Sequence, residues 1–300
     1  MKEFDVVVLT ESRYIRPDDN SPYVQNILTE DRLIMDALLS RGLLVDRKEW
    51  TDQQFDWSDT RAVVFRTTWD YFDKVELFRR WLNLVDTKCL CINDKETILW
   101  NIDKHYLADL AQNNVPVIPT HFTRADRKAS LSKIMKDRGW NDVVIKPAVG
   151  GAGRLTYRIL GAQIKEFEDQ FAEWTQIESF MVQPFQRSVP AKGEVSHMFF
   201  GDHYSHSILK RAKDGDFRVQ DDFGGTVHPY EASEEEIRFG LHAIRSSGKN
   251  PTYARVDVIE DNNGRLAVSE LELVEPELWM RMNPESADIF ADQILMQLES

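Results

Sequence analysis

Residues 143–154, VVIKPAVGGAGR, leave little freedom for what surrounds them. Val143, Val144 and Ile145 form a β-branched run that specifies a buried strand, and Lys146 and Pro147 lead it into the cluster Gly150, Gly151 and Gly153. A strand therefore delivers one lysine to a turn whose backbone N–H groups can converge on an anion without obstruction from Cβ atoms. Together they suit a polyphosphate, since the lysine adds a compact positive charge. Glycines between two strands also fit a plain hairpin, and the spacing matches neither a Walker loop nor GxGxxG. The rest of the chain has to decide.

The chain carries 50 acidic against 37 basic side chains in 300 residues, a formal charge of -13. A general nucleic-acid or anionic-membrane surface is excluded on that balance, so any anion must be held by a local basic cluster. No stretch approaches the ~20 apolar residues of a membrane span, and the opening MKEFDVVVLTE is too short and too acidic for a signal peptide. Cys89 and Cys91 are the only cysteines and alternate on one face of an expected strand, as buried thiols in a reducing compartment would. A cytoplasmic protein is the expectation.

Strands are expected at Phe4–Leu9, Leu43–Asp46, Ala62–Phe65 and Cys89–Ile92, with helices at Ile27–Arg41 and Lys74–Val85 between them. This alternation predicts an open α/β domain over residues 1–114. In such sheets the carboxyl ends of the strands form the ligand crevice, which makes Arg13, Arg66, Trp69 and Asp70 candidates to meet a substrate. An Arg66–Asp70 pair on a loop is the plainer alternative. Asp103 is expected to cap a helix over Lys104–Gln112. Residues 115–185 read as a small α+β lid domain containing the glycine loop. Residues 186–300 read as a mixed-sheet domain, with a capping box at Ser233 and Glu236 and a hairpin turn at Asn262-Asn263-Gly264.

That hairpin joins ARVDVIE to AVSELELVEPE. Asp257 lies on one strand, and Glu270 and Glu272, two residues apart, share a face of the other. Three carboxylates on a face that should be apolar are costly without cations, and hard oxygen ligands are what Mg²⁺ bound to phosphates prefers. A solvent-facing strand with Leu271 and Leu273 buried is the alternative. Lys104, Lys146, Lys210, Arg211, Arg218 and Arg255 supply the basic residues for a phosphate clamp. The stretch Met181-Val182-Gln183-Pro184-Phe185 has the composition of an interdomain hinge that could read an adenine edge. The scattered histidines give no metal site, and no serine–histidine–acid order or reactive cysteine suggests a covalent nucleophile.

Taken in order, Lys104, VVIKP with its glycine loop, MVQPF, GEVS, DFR, Arg255-x-Asp257 and ELELVEP resemble the ATP-grasp superfamily over residues 95–300, and within it the bacterial glutathione synthetase ATP-binding domain. Glu272 stands where that family has asparagine and Ser196 where it has arginine, which puts glutathione synthesis itself in doubt. RTTWDYF and WMRMNP look more like ring-closing ATP-grasp ligases of the D-cycloserine-forming type. The resemblance implies that Lys104, Lys146, Gly151, Ala152 and Gly153 contact the phosphates of ATP, with Gln183 and Phe185 at the adenine. It implies that Asp257, Glu270 and Glu272 hold two Mg²⁺ ions and that Arg255, Arg218 and Lys210 stabilise the transferring phosphoryl group. The implied reaction is formation of a C–N bond through an acyl phosphate, from small amino-acid-like substrates. Intramolecular ring closure and a non-catalytic ATP-binding module are the alternatives, and homodimers are common among the proteins resembled.

Overall fold

A computed structural model describes residues 2–219 and 224–299. The chain opens with β1 (Phe4–Thr10), α1 (Ser12–Ile15), α2 (Pro22–Ser40), β2 (Val45–Glu49), β3 (Thr60–Thr67), α3 (Val75–Val85) and β4 (Leu90–Ile92). The four strands form a parallel sheet in the order β2-β1-β3-β4. Its apolar residues are buried on both faces: Val6 and Val8 pack into one cluster, Val7 and Leu9 into another. That double coverage is why β1 reads as a continuous run of valines rather than an alternation. Cys89 and Cys91 lie in one of these clusters, on the shared face their spacing predicts.

Helix α2 begins five residues before the expected start. Ser21 accepts a hydrogen bond from the Val24 amide, and Pro22 occupies the first turn where no amide donor is needed. The apolar period, from which the helix was expected, only begins once the helix is buried. The stretch after β4 holds two helices rather than one, α4 (Lys95–Asn101), capped by Asp94, and α5 (Tyr106–Gln112). Asp103 accepts from the amide of His105 ahead of the helix, which starts two residues later than predicted, at Tyr106, with His105 rather than Asp103 at its N-cap.

The central unit contains β5 (His121–Phe122), α6 (Leu131–Arg138), β6 (Asp142–Pro147), β7 (Tyr157–Leu160), α7 (Ile164–Ile177) and β8 (Phe180–Pro184). Its antiparallel sheet runs β5-β8-β6-β7, covered by α6 and α7 around Phe171 and Phe180. The last unit carries α8 (Ser188–Lys192), β9 (Glu194–Phe200), β10 (His203–Arg211), β11 (Thr226–Tyr230), α9 (Glu234–Ser246), β12 (Tyr253–Glu260), β13 (Leu266–Glu272) and α10 (Ser286–Glu299). The sheet order is β11-β10-β9-β12-β13, antiparallel throughout. Strand β11 was not expected; Pro229 within it is tolerated because the strand lies at the sheet edge. Helix α10 packs on α2, and Arg41 reaches Asp288 and Asp292, so the end of the chain is fastened to its beginning.

The seam between first and last units is polar. Glu30 of α2 is buried, pairs with buried Arg66 at 2.5 Å, and accepts the amides of Leu278 and Met280. Glu30→Gln would leave the Arg66 guanidinium buried without its counter-charge, and the expected loss is about 3 kcal/mol of stability, read by chemical denaturation. A change within a few tenths of a kcal/mol would mean the pair does not hold the seam.

Candidate active site

Strand register assembles the site. Arg255 lies opposite Glu272 and Asp257 opposite Glu270, and the period of two puts all four side chains on one face of β12 and β13. Leu271 and Leu273 turn the other way into the core. The charged face is internally matched. Arg255 donates to both oxygens of Asp257 at 2.9 Å and closely contacts Glu272; Lys210 bridges Glu194 at 2.6 Å and Asp257 at 3.0 Å; Ser196 donates to Asp257 at 2.5 Å. From the other side Lys104 and Lys146 reach Glu270 at 3.1 and 3.6 Å.

These neighbours set the protonation states. Burial alone would raise Asp257, but Arg255 and Lys210, with hydrogen bonds from Arg255 and Ser196, hold it well below the usual carboxylate range. Burial also opposes ionisation of Glu270, yet Lys104 and Lys146 hold it at about 2. At Glu272 burial wins, with Glu270 and Asp257 adding repulsion against the pull of Arg255, and it rises to about 7.

The face forms one wall of a cavity of about 300 Å³ between the three units. The opposite wall is the glycine turn. Lys104 donates to the Gly150 carbonyl at 2.6 Å, and Ala152 and Gly153 both have φ in the left-handed region, at 47° and 66°. Gly151 abuts the first unit, where a Cβ would stand 3.0 Å from the ring of Phe72, so a larger residue would lift the turn off its seat. Arg154 adds a 3.6 Å contact to Asp73 of the same loop. The deeper end is apolar, with Ile118, Val144, Phe185 and Leu271 among its lining; Gln183 also lines it and donates to Thr120 at 2.9 Å, and Phe185 carries Arg158 stacked at 3.5 Å.

Of the residues expected from the sequence, Lys104, Lys146, Gly151, Ala152, Gly153, Gln183, Phe185, Lys210, Arg218, Arg255, Asp257, Glu270 and Glu272 all line this one cavity. Arg13, Arg66 and Asp70 do not line it. Arg13 is turned to Glu11, Asp70 is occupied by Trp50 and Lys74, and Arg66 is buried against Glu30 and the Pro276 carbonyl. Trp69 does line the cavity, joined by Tyr23, Tyr71, Phe72, Glu275, Glu277 and Trp279, which stand in no periodic pattern in the sequence. No three carboxylates among the described residues stand close enough to hold a metal ion alone.

The segment after β13 has no strand partner, yet its backbone is satisfied. Six successive carbonyls, Leu273 to Leu278, bond in turn to Asn93, Tyr253, Trp69, Arg66, Arg255 and His206, at 2.7 to 3.3 Å. Residues from all parts of the chain converge to fix this one stretch. On it Glu275 is pushed up to about 8 by burial and by Glu272, against Lys104 and a hydrogen bond from buried Tyr71.

A parallel sheet followed by two antiparallel sheets that close on a lysine- and carboxylate-lined cleft is the architecture of the ATP-grasp ligases, and comparison with known proteins agrees. The chain has the ATP-grasp fold and is an ATP-dependent carboxylate–amine ligase. Residues 6–93 match the family described as the N-terminal domain of D-cycloserine synthetase DcsG. The cycloserine biosynthesis protein DcsG of Streptomyces lavendulae is 28% identical over 284 residues, 89% of this chain and 93% of that protein. The crystal structure of D-cycloserine synthetase DcsG superposes with a TM-score of 0.85 at 26% identity, covering 98% of this chain and 99% of that one. The D-alanine–D-alanine ligase of Bacillus anthracis has the same fold at a TM-score of 0.69 and 12% identity, covering 99% and 97%. No helix among the described residues is long and apolar enough to cross a membrane.

The raised carboxyls have a consequence for stability. Glu272 and Glu275 keep protons up to about 7 and 8, whereas in the unfolded chain they lose them near 4.5. The folded state therefore holds extra protons across that interval, and this contribution to stability is lost as pH rises through it. Asp257 and Glu270, shifted the other way, act only at lower pH. Thermal unfolding of the ligand-free protein between about pH 5 and pH 8 should show Glu275→Gln gaining steadily on the wild type. Parallel curves would mean that Glu275 is ionised throughout.

Proposed function

We propose that the protein uses ATP to convert the carboxylate of a small, amino-acid-like molecule into an acyl phosphate and joins it to an amine. The observation that carries this reading is the single cavity in which Arg255, Lys210, Lys104 and Lys146 face Asp257, Glu270 and Glu272 beneath the glycine turn. In it, Lys104, Lys146 and the turn Gly151–Gly153 hold the ATP phosphates, and Gln183 and Phe185 border the adenine. Arg255, Lys210 and Arg218 neutralise the phosphoryl group as it passes to the substrate carboxylate. Such transfer needs positioning and charge compensation rather than a protein nucleophile. Asp257, Glu270 and Glu272 would hold two Mg²⁺ ions, which supply further charge neutralisation of the phosphates. Closure of the glycine turn on Phe72 keeps water from the acyl phosphate. We read the chain as three domains, 1–114, 115–185 and 186–300, a division supported by its three separate sheets.

A second reading places amine and carboxylate on one molecule, so that the product is a ring. The likeness to D-cycloserine synthetase along nearly the whole chain favours it.

ADP release with MgATP, measured across single amino acids, amino-acid pairs and dipeptides, tests both. Release with one compound and a product lighter by one water establishes ring closure; release that needs two compounds establishes intermolecular ligation. A product that retains phosphate would overturn the ligase reading. Glu272→Gln is the informative control, because Glu272 sits near its neutral form already and the amide preserves the fold. It should lower kcat by about 100-fold. Asp257→Asn, in contrast, unpairs Arg255 and Lys210 and should also cost about 3 kcal/mol of stability.

A further inference from the structure

Part of the cavity lining lies outside the residues assigned to the phosphates. It comprises Tyr23, Trp69, Tyr71, Phe72, Glu275 and Trp279. Five of these residues form one connected wall: Tyr23 packs on Trp69 with ring centroids 6.5 Å apart, Tyr71 on Phe72 at 5.9 Å, Trp69 donates to the Glu275 carbonyl, and Tyr71 bonds the Glu275 carboxyl; Trp279 lies four residues beyond Glu275 on the same segment. With Trp279 the wall contains five aromatic rings and one acid, and no base.

One of its polar groups lacks a counter-charge and another lacks a hydrogen-bond partner. The other five carboxylates lining the cavity, Glu194, Asp257, Glu270, Glu272 and Glu277, are each matched by a lysine or arginine. Glu275 alone has no cation within salt-bridge distance among the described residues. The second group is the indole N–H of Trp279, a residue 3% exposed whose nitrogen has no acceptor in the protein. The Trp279 backbone is held at φ 45°, a strained conformation for a bulky residue, by the hydrogen bonds of Glu30 to the amides on either side. Its ring packs over Arg255 at 5.1 Å and Lys210 at 5.6 Å, next to the cations that face the reacting carboxylate.

We propose that this wall is the subsite for an ammonium group on the carboxylate substrate, with the Glu275 carboxylate as its anchor and the Trp279 indole N–H donating to an oxygen of the same molecule. The substrate is then a zwitterion. Glu275 holds its proton in the ligand-free protein, and an ammonium group beside it favours the ionised form. The resulting carboxylate–ammonium contact, ringed by aromatic faces, is favourable in a desolvated site, since each face also attracts the cation. A second carboxylate would find no free counter-charge here: Arg13 and Arg66 are turned to Glu11 and Glu30, and Arg255 and Lys210 beneath Trp279 are matched by Asp257, Glu272 and Glu194.

The assignment rests on the ligase reading, and the test separates the two. Protein saturated with Mg²⁺ and the non-hydrolysable analogue AMPPNP is titrated calorimetrically with D- and L-alanine and D- and L-serine, and with the matching α-hydroxy acids lactate and glycerate. At least one amino acid should bind, and its hydroxy acid should bind about 100-fold more weakly. Glu275→Gln should weaken the amino acid by about 100-fold and leave AMPPNP affinity unchanged. Trp279→Phe, which keeps the ring and removes the donor, should cost about tenfold in the same titration. Equal binding of hydroxy and amino acids, no binding of any amino acid, or unaltered affinity in either variant would overturn the proposal. Failure of the wild type to bind MgAMPPNP would instead overturn the ligase reading beneath it.

Discussion

The structure depends on how residues 273–278 are held. This stretch leaves the sheet at the end of β13 and would present bare carbonyls to the interior, a cost that buried backbone does not sustain. Side chains from β3, β10, β12 and the segments after β3 and β4 satisfy each carbonyl in turn. The consequence is mutual. The stretch is fixed because the first and last units meet across it, and those units meet correctly because the stretch is fixed. Glu30 and Arg66, though outside the cavity, therefore determine where Glu275 and Trp279 stand.

The charged face obeys a related constraint. Six ionic side chains, Arg255, Asp257, Glu270, Glu272, Lys210 and Glu194, crowd onto adjacent strands, and desolvation would neutralise them if they were not opposed. In the ligand-free protein they oppose one another. On the proposed reading, phosphates would draw the cations and Mg²⁺ the carboxylates, so ligand binding would exchange partners instead of exposing new charge. Glu272 is the weak point of this arrangement, since its only strong cation, Arg255, is shared with Asp257.

Much of this was legible in the sequence wherever a period existed. The alternation of Glu270 and Glu272 against Leu271 and Leu273 gave their two faces, and the NNG turn gave their pairing with Asp257. The lysine before the glycine turn was equally plain. Arg66 and Asp70 were plausible substrate ligands because they follow a strand, but sequence cannot say whether a loop side chain turns outward to a ligand or inward to a partner such as Glu30. Glu275 and Trp279 lie within the ELELVEP and WMRMNP motifs but received no role, for the opposite reason: VEPELW has no regular spacing, and its conformation is imposed by hydrogen bonds from residues up to about 210 positions away. Strand β11 was hidden by its proline and by the absence of an apolar face.

The seat of the glycine turn has a kinetic corollary. Phe72, which receives Gly151, and Asp73, which meets Arg154, belong to the same loop as the aromatic wall of the cavity. On the proposed reading, one surface would serve as doorstep for the nucleotide and as wall for its partner, so the two ligands would share a single gate.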